Sequence, residues 1–359
     1  MKKFTKMWAI AACALFAGTA AVNAEDYTWK FVTAGDATTY AIRSDGSLWS
    51  WGWNEKGQGG NGVSERTATP TLADGNRVWK KAVGGKAYGF FLAEDGSLWA
   101  AGTHEGGVQG TNDGIDHKVL TRIGTDNDWA DMACSRFWGY SGFAIKTNGT
   151  LWAWGKNSAG QLGIGNTQAQ TAPVQVGADM DWKQVAAGCS SVLALKTDGS
   201  LWGWGFNMYS ELFGHEGKQL SPVRLGSETD WEQVVVIDFR AYAVKKDGTL
   251  WAWGDNANNL LGFNTPTEEE TTAEGNPVEV VTVPQITAPT HVTSIEGKVL
   301  TISGCENTLS VATGTDGVIE KVWMLGSNTD GALGDGKGLG NGNKDIPCLL
   351  YTSDAADDL

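Results

Sequence analysis

The chain has 359 residues and a formal net charge of −14, with 27 Lys and Arg against 41 Asp and Glu. Nucleic-acid binding depends on clustered basic side chains that release counterions from phosphates, so this acidic balance argues against DNA or RNA as a partner. The five cysteines include no Cys-x-x-Cys or other metal-ligand spacing, so neither a zinc centre nor a cysteine-held cofactor is expected.

Residues 1–24 read as an export signal. Lys2, Lys3 and Lys6 precede an apolar run from Met7 to Ala21, and Val22-Asn23-Ala24 supplies small residues for cleavage, so the mature chain is expected to begin at Glu25. Acylation of Cys13 as a lipoprotein is the weaker reading, because almost no apolar core separates it from Lys6. The expected location is periplasmic, secreted or cell-surface. No later stretch is long and apolar enough to span a bilayer as a helix.

From Trp29 onward the sequence repeats. Trp29, Trp79, Trp129, Trp182 and Trp231 lie 50, 50, 53 and 49 residues apart, and in step with them a block of the form Asp-Gly-Ser-Leu-Trp starts at Asp45, Asp95, Asn148, Asp198 and Asp247, with a worn copy at Asp316. Such a period signals a solenoid, propeller or array. In the fourth unit, Val192–Lys196 and Leu201–Trp204 flank Asp198-Gly199, the pair that a tight hairpin favours. Trp202 and Trp204 share one face of their strand, and both faces read as buried. A Gly-rich loop such as Asn157–Gly163 follows the hairpin. Then comes a strand opening on proline, such as Pro173–Val176, and the strand Trp182–Gly188 with its small residues reads as innermost. Four strands in about 50 residues make one propeller blade.

In these segments, W-x-x-V-x-x-G, D-G-S-L-W-x-W-G and N-x-x-G-Q-L-G, the chain resembles the regulator of chromosome condensation repeat family from Trp29 to Asp335. The resemblance implies an all-β propeller of four-stranded blades. Six repeats are visible here, and seven blades are implied. The second unit departs from the pattern at Ala101, and the sixth reads Trp323-Met324-Leu325-Gly326, with Lys298 where the marker Trp belongs. Because residue 29 starts directly on a marker Trp, the first blade is expected to take its outer strand from near Asp345-Ile346-Pro347, leaving the ring open. The segment from Cys348 to Leu359 breaks the repeat grammar and resembles a translated sequencing adapter, so 25–347 is read as the propeller and 348–359 as a non-native tail.

Catalytic patterns are missing. His104, His117, His215 and His291 share no spacing, no Gly-x-Ser-x-Gly occurs, and the repeated Asp is explained by its turn. A non-enzyme without a cofactor is expected. Cys134, Cys189 and Cys305 read as small buried residues, although an exported protein permits disulfides.

Function is sought where the ruler is broken. Fifteen of the 17 tryptophans after the signal sit at repeat positions; Trp53 and Trp138 do not. The marker-to-turn distance is 16 residues in units one, two, four and five but 19 in unit three, which places three extra residues within Cys134-Ser135-Arg136-Phe137-Trp138-Gly139-Tyr140-Ser141. Arg136, Phe137, Trp138 and Tyr140 are therefore binding candidates, because aromatics and Arg on a loop of a rigid scaffold dominate interface energetics. Folding back of these aromatics onto the blade edge is the equal alternative. Trp53 and Phe206, at the x of W-G-x-N, and the nearby Tyr209 complete the set. A second insertion, about 265–294, combines an acidic loop with a strand over Val278–Val283.

The function expected is an exported, monomeric, protein-binding propeller that inserts into no membrane after signal removal. The alternative, implied by the resemblance, is a secreted enzyme inhibitor akin to a propeller-type inhibitor of β-lactamases. A carbohydrate-binding or carbohydrate-active propeller ranks third.

Overall fold

The computed structural model describes residues 28–136, 139–257, 260–263, 270–271, 277–278, 285–305, 308–326 and 348–352. They form six four-stranded antiparallel sheets arranged as propeller blades, plus one two-stranded ribbon. Chain order builds each blade from its innermost strand outward. The fourth blade runs Trp182–Ala187, Ser191–Lys196, Leu201–Asn207, Gly217–Arg224, each strand paired with the next.

This order corrects the expected phase. The marker Trp opens the inner strand, and the proline-bearing strand closes the same blade instead of opening the next. The first blade accordingly carries its own outer strand, Thr67–Asp74, paired with Leu48–Gly52. No strand from near Pro347 is needed there. A periodic sequence reads alike from any starting strand, so only pairing sets the phase. Cys348–Thr352 pairs with Val318–Gly326 as the outer strand of the sixth blade.

Pro173 is likewise the fourth residue of its strand, Gln170–Gln175, and not the first. Register shifts beside it, where Ala153 pairs with Val174 but Gly155 pairs with Gln170. An outer strand at a bulge tolerates a residue that lacks the ladder N–H. In the second insertion Glu270–Thr271 pairs with Pro277–Val278 as the ribbon, and Gln285–His291 is the regular outer strand of the fifth blade. The expected strand Val278–Val283 lies, beyond Val278, outside the described residues.

The hairpin block has a side-chain logic. Asp198 Oδ1 accepts the Ser200 N–H at 2.8 Å and the Ser200 hydroxyl at 2.6 Å, while Ser200 Oγ accepts the Trp202 indole N–H at 2.9 Å. The relay recurs as Asp45-Ser47-Trp49, Asp95-Ser97-Trp99, Asn148-Thr150-Trp152 and Asp247-Thr249-Trp251. Hydrogen bonds from the Ser or Thr hydroxyl hold Asp45, Asp95, Asp198 and Asp247 below the usual carboxylate range. Gly199, at φ +85°, supplies the left-handed position of the turn.

Blades pack face to face. Among the described residues, five apolar clusters are found, each shared by two successive blades. The two tryptophans of a pair are not equivalent: Trp154, Trp204 and Trp253 are fully buried, whereas Trp152, Trp202 and Trp251 are half-buried at the rim. The expectation that both are core is corrected for the first. There a lysine covers the ring, Lys196 Nζ lying 4.5 Å from the Trp202 centroid and 5.0 Å from that of Trp182. Trp29, the marker of the first blade, is 44% exposed, while its four counterparts are buried.

The second Trp of each pair also bonds backward. Trp154, Trp204 and Trp253 donate their indole N–H to the carbonyls of Val108, Gln161 and Glu211 in the preceding blade's loop, at 2.7–2.8 Å. Where the next blade lacks that Trp, at Ala101 and Leu325, the preceding blade carries a tyrosine. Tyr40 donates to the Gln58 carbonyl at 3.0 Å and Tyr242 to the Leu260 carbonyl at 2.9 Å. Either phenol or indole thus satisfies a buried carbonyl that would otherwise be stranded.

Three substitutions separate these roles in chemical denaturation. Trp204→Ala is expected to cost about 3–5 kcal/mol through cavity formation, and the half-buried Trp202→Ala clearly less. Tyr242→Phe should cost about 1–3 kcal/mol by stranding the Leu260 carbonyl. Asp198→Asn should be near neutral, since Asn148 makes the same bonds, whereas Asp198→Ala should cost about 1–2 kcal/mol; equal effects of the two would refute the relay.

Candidate binding face

Strand alternation sends the turn between first and second strands, and the loop between third and fourth, to one end of every blade. The Asp-Gly hairpins emerge at the other. The two kinds of loop are stitched together: Trp53 N–H donates to the Ala37 carbonyl at 2.7 Å, Lys156 N–H to Tyr140 at 2.9 Å, Phe206 N–H to Ser190 at 2.9 Å and Asp255 N–H to Phe239 at 3.0 Å. Trp53, Arg136, Tyr140, Phe206 and Tyr209 therefore share one face, in three different blades. Phe137 and Trp138 lie outside the described residues.

The three added residues of the third unit fall in its inner turn. Six residues separate Trp129–Cys134 from Ser141–Lys146, against three in the first, second and fourth blades. Arg136 is half-buried. Tyr140 takes φ +43° and is buried, its ring 5.9 Å from that of Tyr88 in the second blade. Burial, with Glu105 nearby, raises its phenol above the usual value. This aromatic folds back onto the neighbouring blade. Gly139 is required by close approach, since a Cβ there would lie 2.9 Å from the Cys189 carbonyl oxygen.

Tyr209 packs on Phe239 of the fifth blade at 4.9 Å between centroids. Phe206 is half-buried, as is Trp53, which lines a cavity of about 370 Å³ with Ala37, Gly52, Arg66, Thr67 and Ala68. An indole wall beside a guanidinium suits an aromatic or acidic group.

Near the propeller axis the inner turns bring together residues that sequence comparison had not linked. Cys189 N–H donates to the Asp238 carbonyl at 3.3 Å, its thiol donates to Asp238 Oδ1 at 3.4 Å, and Arg240 Nη2 stands 3.4 Å from Asp238 Oδ2. Burial raises the Asp238 carboxyl above its usual range, against the opposing pull of Arg240, the Cys189 thiol and Arg136 of the third blade, and Asp36 of the first blade raises it further. Asp36 N–H in turn donates to the Gly85 carbonyl at 3.3 Å. Asp36, Lys86, Arg136, Cys189 and Asp238 all stand seven residues after their marker Trp. The members of this column are unlike, so only their common distance from the marker Trp identifies it in the sequence.

Cys134 and Cys189 are buried, and the Cys305 side chain is outside the described residues. His104 pairs with Asp116 at 2.7 Å and His117 with Asp113 at 2.8 Å. Among the described residues no group of three or more His, Cys, Asp or Glu is placed to hold a metal ion.

Comparison with known proteins agrees with this architecture. A profile of the Regulator of chromosome condensation (RCC1) repeat matches residues 45–92 and 148–195, and a second profile of the same repeat matches 29–58. The Ultraviolet-B receptor UVR8 of Arabidopsis thaliana is 30% identical over 163 residues, which are 45% of this chain and 37% of the receptor. Protein RCC2 of Homo sapiens is 27% identical over 150 residues, 41% of this chain and 19% of that protein. The matches thus span well under half the length of these curated relatives. Human WBSCR16 superposes with a TM-score of 0.74 at 17% identity, covering 91% of this chain and 82% of that one. Prp20p of Saccharomyces cerevisiae, a structure described with its binding to Gsp1p and histones, gives 0.72 at 18% identity, covering 91% and 77%. At such identities the superpositions speak to the fold alone. Repeat motifs, blade topology and profile matches together show that this chain carries repeats of the regulator of chromosome condensation type, folded as propeller blades.

Proposed function

We propose that this chain is an exported, non-catalytic propeller that binds another protein through the face bearing its inner turns and third-to-fourth-strand loops. One observation carries the reading: residues that depart from the repeat, Trp53, Arg136, Phe206 and Tyr209, emerge at one end of the blades, around the polar axial cluster. Half-buried aromatic and Arg side chains set around a polar centre suit a protein interface. The chain's acidity weighs against nucleic acid. Solved relatives described with protein partners, such as Prp20p with Gsp1p and histones, are consistent with a protein ligand.

Site-specific photo-crosslinkers placed at Phe206 and, on the opposite end, at Lys246 test the face in producing cells. Defined adducts are expected from Phe206 alone; adducts from Lys246 alone would overturn the assignment. With the partner in hand, Trp138→Ala or Arg136→Ala should weaken binding by about 2 kcal/mol or more, with melting little changed. Tyr140→Ala should instead lower stability by about 3–5 kcal/mol, because its ring fills the contact with the second blade. Export predicts a secreted form whose N-terminal sequencing begins at Glu25.

A further inference from the structure

In two units the loop after the third strand places a glutamine at the same point, Gln58 and Gln161; in the second unit the residue there is Val108 and in the fourth Glu211. The amide has two tasks in the third blade. Gln161 Oε1 accepts the Ala159 N–H at 2.9 Å, and its Nε2 donates to the Gly139 carbonyl at 3.4 Å. Glu211 keeps the first task, Oε2 accepting the Tyr209 N–H at 2.8 Å, while Oε1 accepts the Ser191 hydroxyl at 3.4 Å. A carboxylate accepts only. A protonated carboxyl, with one acceptor and one donor, is the closer substitute for the amide.

Burial favours the neutral form, and it outweighs the Ser191 hydroxyl and the backbone N–H groups of Met208, Tyr209 and Glu211, which favour the carboxylate. Glu211 is fully buried. Among the described residues no Lys, Arg or His forms an ion pair with it. The charged groups on neighbouring elements are engaged elsewhere: Arg240 with Asp238 on the fifth blade's inner turn, and Asp255 with the Ala257 N–H. On its own loop, His215 turns to the Arg224 carbonyl and Glu216 is exposed. An unpaired carboxylate in such a place is costly unless it takes up a proton.

We propose that Glu211 is a proton-operated latch, holding the loop 207–212 to the fourth and fifth blades when its carboxyl is protonated and loosening it when the proton is lost. Three contacts would yield together. Tyr209 would lose its bond to Oε2 and its packing on Phe239; the Glu211 carbonyl would lose the Trp253 indole; and Ser191 would lose its carboxyl partner. The latch stands on packing alone and needs no binding partner.

Burial pushes the Glu211 carboxyl up to about 7. The folded state therefore holds a proton that the unfolded chain, at the ordinary value of 4.5, releases. The contribution of Glu211 to stability is fully present below about pH 4.5 and is lost as pH rises toward about 7.

The test compares the wild-type chain with Glu211→Gln. Between pH 5.5 and 8 the wild-type Tm should fall by about 4–8 °C, and the slope should largely vanish in the variant, which retains His215 as a control. Trp253 indole protection from hydrogen exchange, corrected for intrinsic pH dependence, should fall on the order of tenfold between pH 6 and 8 in the wild type only. A flat wild-type Tm, or the same slope in Glu211→Gln, overturns the proposal. So does a lost slope with unchanged Trp253 protection, which would mean a titrating residue that latches nothing.

Discussion

The constraint on which this propeller turns is the loop carbonyl that lies between two blades. It is buried by packing on the next blade, so a donor must reach it, and two sources serve. Trp154, Trp204 and Trp253 reach back from the next blade; Tyr40 and Tyr242 reach from within their own. The tyrosines occur at the blades followed by Ala101 and Leu325, where the following blade has no indole to offer. Wear in the repeat is thus compensated across the interface. A buried carbonyl left without a donor costs more than a single hydrogen bond adds, so the two positions are coupled.

The same bond shapes the candidate face. By fixing the loop after each third strand, it holds the positions just upstream of that loop, where Trp53 and Phe206 are found. The inner turns are then tied to those loops by backbone hydrogen bonds, and the axial residues stand on these turns. Arg136, Cys189, Asp238 and Arg240 come from three blades and meet because every inner strand runs beside the axis. A rigid ring with unlike residues at one register position is a scaffold that can vary its surface without altering its packing.

Much of this was legible in the sequence. The Asp-Gly pairs marked the hairpins, the alternation of Leu201 and Gly203 with Trp202 and Trp204 marked a sheet buried on both faces, and the spacing of 19 located the enlarged turn of the third blade. The phase of the blades was not legible, because periodicity has no origin. Nor was the unequal burial of Trp202 and Trp204, which depends on how far each ring lies from the rim. The position of Pro173 inside its strand follows from a register shift, which is a property of pairing. That Tyr140 folds onto Tyr88 while Tyr209 meets Phe239 required the approach of blades to be known.

By itself, then, the sequence determined what recurs: four strands per unit, the turn chemistry of Asp-Gly-Ser, the aromatic core positions and the places where the period is broken. These are local, since each depends on residues within one unit and on hydrogen bonds spanning two or three positions. Tertiary structure decided what converges: which turns share a face, which donor satisfies which carbonyl, and the placing of Glu211 where its glutamine counterparts use an amide. Those outcomes depend on surfaces about 50 residues apart being pressed together, and the free energy of burying a polar group is set by the partner it meets there.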